Sequence, residues 1–241
     1  MKYKTYKEIV LNNRNFDFNF INQIENRENL SEIMNYFSQS HSQLRQDLFV
    51  LNQLKFKKNG FFVEFGATNG INLSNTYLLE KKFNWDGILA EPAKVYHEEL
   101  TKNRNCYIEK NLVWKNSGST LIFIEASIKE LSTIKQYFKF DTHVRENDKQ
   151  YPVDTISLNN LLKKYNAPDV IDYLSIDTEG SEFDILNNFN FNSYQFRVIT
   201  CEHNHTSNRD KIYSLLSSNG YKRIMSNISQ FDDWYINTSI I

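Results

Sequence analysis

The chain has 241 residues, 40% of them hydrophobic and 15% aromatic, with a formal net charge of -1. That composition is globular rather than disordered, and the near-neutral charge argues against a generic nucleic-acid surface. No run of about 18 apolar residues is present, so no membrane span is expected.

The amino-terminal MKYKTYKEIVLNNRN has no apolar leader core. Cys106 and Cys201 both fall in apparent strands and read as free buried thiols, which suits a reducing cytoplasm. Residues 1–40 are polar and weakly patterned, with a short helix near LSEIMNYF. They are expected to form a helical appendage on a single domain spanning 41–241. Leu44, Leu48 and Leu51 then recur at helical spacing, with Gly60 as a stop. FFVEF reads as a buried strand, NTYLLEKKF as a helix, and DGILAE, CYIEK and STLIFIE as further strands. From Ala126 to Gln150 no period is visible, and an insertion or loop-rich lid is expected.

SLNNLLKKYNAP places Leu158, Leu161, Leu162 and Tyr165 on one helical face, with Ser157 as cap. VIDYLSID is apolar on both faces, as a central parallel strand requires. Ser181 to Asp184 fits a capping box opening a helix with Phe183, Leu186 and Phe189 as its stripe. FRVITCEHN is a strand. DKIYSLLSSNG is a helix with Ile212, Leu215 and Leu216 inward and Gly220 as its stop, and YKRIM and DDWYIN are two closing strands. Strands alternating with helices predict an α/β fold, a mostly parallel sheet with helices on both faces.

Ligands of such sheets bind at the carboxyl ends of the strands, where the strand order reverses. The turn Gly66-Ala67-Thr68-Asn69-Gly70 follows FFVEF and lacks the G-x-G-x-x-G of dinucleotide sites. With Glu64 before the turn and Glu91 closing the next strand, where a carboxylate can hold ribose hydroxyls, the pattern favours S-adenosylmethionine. A second acidic cluster follows at Asp177, Glu179 and Glu182, with Glu202, His203 and His205 ending the adjacent strand. Close carboxylates demand a cation: a sulfonium, a metal ion or a protonated histidine. A histidine or carboxylate could take a proton from a hydroxyl, or a divalent metal on Asp177, Glu179 and Glu202 could acidify it. An NAD(P)-dependent oxidoreductase and a non-catalytic glycan-binding protein are the alternatives on the same scaffold.

The segments SQLRQDLFV, GFFVEFGATNGINLSNTYLLEKKFNWDGILAEP, VDTISLNNLLKKYNAPDVIDYLSIDTEGSEFDIL, EHN and DDWYIN resemble, in this order, the FkbM family of S-adenosylmethionine-dependent methyltransferases, over roughly residues 42 to 236. The resemblance implies a Rossmann-like class I methyltransferase fold, with a seven-stranded sheet whose last strand is antiparallel, and O-methylation of a sugar, glycan or related metabolite. It implies that Glu64, Gly66, Ala67, Asn69, Gly70 and Asn75 line the methionine end of the cofactor. Glu91 and Pro92 would hold the ribose, and Asn111 would lie near the adenine. Gln46 and Asp47 would close over the cofactor. Asp177 and Glu179 would lie at the transfer point, with His203 opposite as base; Glu202 of the acidic cluster is a further catalytic candidate, and Asp177 a further contact to the cofactor. A glycan or hydroxylated small molecule is the implied acceptor, with homodimerisation left open. The turn carries Asn69 where the family commonly has aspartate, and the 126–150 insertion and first 40 residues fall outside the pattern.

Overall fold

The structure is a computed structural model that describes residues 15–143, 145 and 149–241. Residues 1–14, which hold most of the stretch read as lacking a leader, lie outside the described part, as do four positions of the 126–150 insertion. Among the described residues, no helix is long and apolar enough to cross a membrane.

The described residues contain eleven strands: β1 Phe61–Phe65, β2 Asp86–Ala90, β3 Tyr107–Glu109, β4 Leu112–Trp114, β5 Thr120–Glu125, β6 Thr133–Ile134, β7 Lys149–Ser157, β8 Val170–Ile176, β9 Gln195–Glu202, β10 Tyr221–Ile224 and β11 Asp232–Asn237. Seven of them form the main sheet in the order β10-β11-β9-β8-β1-β2-β3. β1, β2, β3, β8 and β9 run parallel, and β11 runs antiparallel to both β9 and β10. The order reverses between β1 and β8, so the crevice above their carboxyl ends is where a ligand is expected. This is the α/β, Rossmann-like methyltransferase architecture expected from the sequence.

Side chains of successive strand residues point to opposite faces, and here both faces are buried. Phe62, Leu89, Tyr173, Val198 and Trp234 enter one core, while Val63, Ile88, Leu174, Ile199 and Tyr235 enter the other. The first core is covered by α1 (15–22), α2 (Arg27–Tyr36), α3 (Gln46–Gln53), α4 (Tyr77–Phe83) and α5 (His97–Asn103). The second is covered by α6 (Leu158–Lys164), α7 (Glu182–Asn187) and α8 (Asn208–Ser218).

Several local expectations are corrected. β4, β7, β5 and β6 make a separate four-stranded sheet rather than extending the main one. The insertion therefore supplies β6 and the start of β7, where a loop-rich lid was expected. Gly60 does not stop α3: Lys55 and Phe56 turn the chain with positive φ, and Gly60 makes room for the Trp85 ring. Ser181 makes no side-chain cap on α7. Instead Glu182 folds back, and its Oε1 accepts the Thr178 and Gly180 N–H groups, both at 3.0 Å. Cys106 precedes β3 and is half-buried, whereas Cys201 is buried in β9.

The described part of the first 40 residues packs into the main core. The Phe20 side chain is fully buried and meets Trp234 edge-on at 6.3 Å, while Phe49 stacks on the other side at 4.6 Å. Truncating a buried Phe costs about 3–5 kcal/mol. Phe20→Ala is therefore expected to destabilise the whole protein by about 3 kcal/mol in urea unfolding, within one cooperative transition. A loss below about 1 kcal/mol would show that this segment lies only loosely against the domain.

Candidate functional site

The carboxyl ends of β1, β2 and β8 open into a cleft of about 1020 Å³, counting the space at its mouth. Its far wall comes from the second sheet, through Phe123, Thr133 and Ile134. Strand register sets the row of groups at its base. Phe65 pairs with Ile176, Ile176 with Cys201, and Glu202 with Asp232, so Gly66, Asp177, Glu202 and Asp232 stand abreast at one edge of the sheet.

The turn after β1 is built for packing as much as for a ligand. Gly66 has φ +74°, and a Cβ there would lie 2.2 Å from the Asp177 carbonyl oxygen. At Gly70, φ +81°, a Cβ would lie 2.6 Å from Arg104 Cγ. Gly70 thus leaves room for an arginine, not for the cofactor as the sequence suggested. The buried Arg104 guanidinium donates to Glu80 Oε2 (2.5 Å), Gly70 O (3.0 Å), Ser74 Oγ (3.1 Å) and Thr76 Oγ1 (2.8 Å), with Glu64 Oε2 at 3.8 Å.

Glu64 lines the cleft. Its carboxylate, however, turns into the 74–76 loop and accepts the Asn75 N–H at 2.7 Å and the hydroxyls of Ser74 and Thr76. Burial pushes Glu64 up, against the pull of Arg104 and these donors. Asn69 does not face the cleft: its Oδ1 accepts from Ile71 and Asn72, and its Nδ2 donates to Glu99. Ala67 is packed in the core. Asn75 does face the cleft, where its buried Oδ1 lacks a hydrogen-bond partner while its Nδ2 donates to Ser175 at 2.9 Å.

Glu91 ends β2 with 5% exposure. Each of its oxygens accepts one backbone N–H at 2.8 Å, from Thr68 and Ala93, which leaves each oxygen a further lone pair. Burial pushes its carboxyl up to about 7. Pro92 lines the cleft beside it. Asn111 does not; the apolar Leu112 and Val113 of β4 take that place, because the Asn111 backbone folds onto Glu109 Oε1.

The acidic cluster balances its own charge. Carboxylate oxygens of Asp177, Glu179 and Glu202 lie within 4.8 Å of one another. Asp177 and Glu202 hydrogen-bond to each other, which requires a shared proton. Burial pushes Asp177 up to about 6 and Glu202 well above its ordinary range. Burial and the Asp177 charge also raise Glu179, while Arg145, donating to it at 2.7 Å, pulls it back. Arg145 is itself clamped by both oxygens of Asp141 at 2.7 Å. A proton and an arginine thus offset charge for which the sequence analysis offered a sulfonium, a metal ion or a protonated histidine.

His203 departs furthest from expectation. Its Nδ1 accepts the His205 N–H at 3.0 Å, which places the ring proton on Nε2, 3.8 Å from Asp233. Burial lowers it to about 4, so it is neutral at pH 7 and cannot offset the acids. It does not line the cleft, and its one lone pair is taken. Gln46 does line the cleft and donates to Asp232 Oδ2 at 2.8 Å. Asp47 does not; it is fully buried and accepts from Ser40 Oγ (2.6 Å) and Leu48 N (2.8 Å). Arg104, Arg145 and Asp232 were missed. A buried Glu64 in FFVEF calls for a cation, and that need could have pointed to Arg104.

The family described as "Methyltransferase FkbM domain" matches residues 64–223. No curated relative matches the chain. Among solved structures, the FkbM methyltransferase of Methylobacillus flagellatus is 13% identical with a TM-score of 0.49, over 95% of this chain and 60% of that one. A precorrin-6y C5,15-methyltransferase of Geobacter metallireducens is 10% identical with a TM-score of 0.43, over 79% of this chain and 85% of that one. Both likenesses are distant, and the family match is the one that carries weight.

Arg104→Met removes the charge from between buried Glu64 and Glu80. Breaking such a pair costs about 3–5 kcal/mol, so a comparable drop in unfolding free energy is expected. The cluster also sets a pH dependence. Glu91 and Asp177 have folded pKa values raised above their unfolded ones, so the folded state holds extra protons between about pH 4 and 7, and stability falls as pH rises through that window. Thermal unfolding of the cofactor-free protein should show this fall, and Glu91→Gln should lessen it by up to about 3 kcal/mol.

Proposed function

The chain belongs to the FkbM methyltransferase family, and on that premise we propose that it transfers a methyl group from S-adenosylmethionine to a hydroxyl of a sugar, glycan or related hydroxylated metabolite. The observation that carries the cofactor assignment is the pair of open acceptors in one cleft. Glu91 keeps a lone pair on each oxygen at the end of β2, and Asn75 holds a buried Oδ1 that lacks a partner. Two hydroxyls of a ribose match the first, and an ammonium group matches the second. Such a fit is what an amino-acid-bearing nucleoside needs.

When bound, the cofactor supplies a methyl group on a positively charged sulfur. This chain's residues would do the rest. Glu91 would orient the ribose, Asn75 the amino group, and Leu112 and Val113 would cover an aromatic base. The acids at the base of the cleft would favour the positive sulfur before transfer more than the neutral thioether after it. On the acceptor side, Lys129, Glu130, Ser132 and Thr133 present polar groups suited to hydroxyls. They belong to the 126–150 insertion.

Purified protein is expected to bind S-adenosylhomocysteine in calorimetry, and Glu91→Ala to weaken it about 30-fold or more, as loss of charge-assisted hydrogen bonds does. Because Glu91 accepts best as a carboxylate, affinity should rise with pH through about 7. Labelled methyl should pass to polysaccharide or lipid-linked glycan fractions and stay there through mild alkali, as an ether does and an ester does not. Absence of binding at millimolar ligand would end the cofactor assignment.

A further inference from the structure

Resting on the oxygen-acceptor reading above, we propose that Asp232 is the general base that takes the acceptor's proton, and that Gln46 is the residue that positions it. Asp232 opens β11, the antiparallel strand, so it lies at the same edge of the sheet as the carboxyl ends of β8 and β9. It lines the cleft with 5% exposure.

Its neighbour Asp233 points to the other face and is committed there. Asp233 accepts from Arg209 at 2.8 and 3.0 Å and from Arg223 at 3.0 Å, which holds it below the usual carboxylate range. Asp232 has no cationic partner among the described residues. Its Oδ2 accepts from Gln46 Nε2, and Gln46 Oε1 accepts the Leu44 N–H at 2.8 Å, so the amide is fixed with its nitrogen towards the acid. The other carboxyls of the site are engaged: Asp177 with Glu202, Glu179 with Arg145, and Glu91 with two backbone N–H groups at the ribose end. Two adjacent acids whose surroundings drive them apart are a recurrent sign of acid–base assignment.

Burial raises the Asp232 carboxyl to about 7, with Asp177 of β8 and Asp233 adding to the rise and the N–H groups of Gln46 and Trp234 opposing it. Glu202 stands opposite on β9, and Tyr173 and Cys201 lie close enough to feel its charge. A base near neutrality is matched to removing a hydroxyl proton. In the step, the acceptor O–H bond breaks and its proton goes to the Asp232 carboxylate. The oxygen pair forms a bond to the methyl carbon, whose bond to sulfur breaks with its electrons left on sulfur. The products are a methyl ether, S-adenosylhomocysteine and a neutral Asp232, which returns its proton to water.

Asp232→Asn, Asp232→Glu and Gln46→Leu are compared with the wild type in three measurements. These are infrared titration of the cofactor-free proteins, calorimetry with S-adenosylhomocysteine, and labelled-methyl transfer to methyl pyranosides and alkylamines across pH. A carboxyl titrating near neutral pH should vanish from the infrared difference spectrum of Asp232→Asn. That variant should bind S-adenosylhomocysteine within about threefold of wild type, yet lose about 100-fold or more in kcat with acceptor KM little changed. Asp232→Glu should recover part of the rate. Gln46→Leu should shift the acid limb of the rate profile to higher pH, since a donor favouring the carboxylate is gone. Turnover of Asp232→Asn within about threefold of wild type, or an unchanged infrared titration, overturns the assignment. Failure of the oxygen-acceptor reading looks different: the wild type then methylates amines and no pyranoside. The same comparison on the amine still decides Asp232, because an ammonium must also shed a proton.

Discussion

The Arg104 guanidinium, enclosed between Glu64 and Glu80 and bonded to Gly70, Ser74 and Thr76, holds the loop that roofs one end of the cleft. A carboxylate in the middle of an apolar strand is costly unless it is paired and its oxygens are satisfied. Glu64 meets both conditions only if residues 74–76 fold over it, so the burial of one acid dictates the path of the loop. That path in turn sets Asn75 in the wall of the cleft and keeps Gly66 against Asp177. The glycines, the acid of β1 and an arginine some forty positions later form one mechanical unit.

A second constraint is electrostatic. Asp177, Glu179, Glu202 and Asp232 crowd the strand ends where little water reaches, and four full negative charges there would repel strongly. The fold answers with a shared proton between Asp177 and Glu202 and with Arg145 on Glu179. Asp232 is left with hydrogen bonding alone. Asp232 is thereby the acid of this row with neither a carboxyl partner nor an arginine, and a cationic ligand would find charge already arranged to receive it.

The main sheet was legible because its strands alternate into two apolar cores, a pattern that leaves a mark on nearly every residue from Phe61 to Ala90 and from Val170 to Glu202. Of the second sheet only β5 was, as the apolar run in STLIFIE. In β7, Pro152 and Asp154 face outward and break the apolar run, and the pairing with β5 depends on residues some thirty positions away. The capping box at Ser181 failed for a related reason. Glu179 and Gly180 take positive φ, the Glu182 carboxylate accepts the Thr178 and Gly180 N–H groups of that turn, and Asp184, the acid of the box, accepts the Tyr137 hydroxyl instead of Ser181's own N–H. Within the site, Glu91, Gly66 and Asp177 were readable because strand ends fix their place. Arg104, Arg145 and Asp232 were not, since each matters through a partner far off in sequence.

The small sheet explains how one scaffold can keep its donor site and vary its acceptor. Of the groups proposed to hold the cofactor, Glu91 and Asn75 are braced by the main sheet and the loop under Arg104 and Val113 by a main core, while Leu112 of β4 belongs to the small sheet's own cluster. The opposite wall rises from β5 and β6, whose hydrophobic cluster is separate from both main cores and centred on Trp114, Phe123 and Tyr137. Lys129, Glu130 and Ser132 line that wall, so on the proposed reading changes in them would alter what meets the methyl group without disturbing the main sheet. Arg145 and Thr133 both reach from the insertion to Glu179, one through its guanidinium at 2.7 Å and the other through a hydroxyl that donates to the Glu179 carbonyl at 3.0 Å. They so couple that wall to the acids beneath it. A substitution at either would be felt on both sides of the cleft, which is the physical reason to regard the insertion as a wall of the site rather than as a cover laid over it.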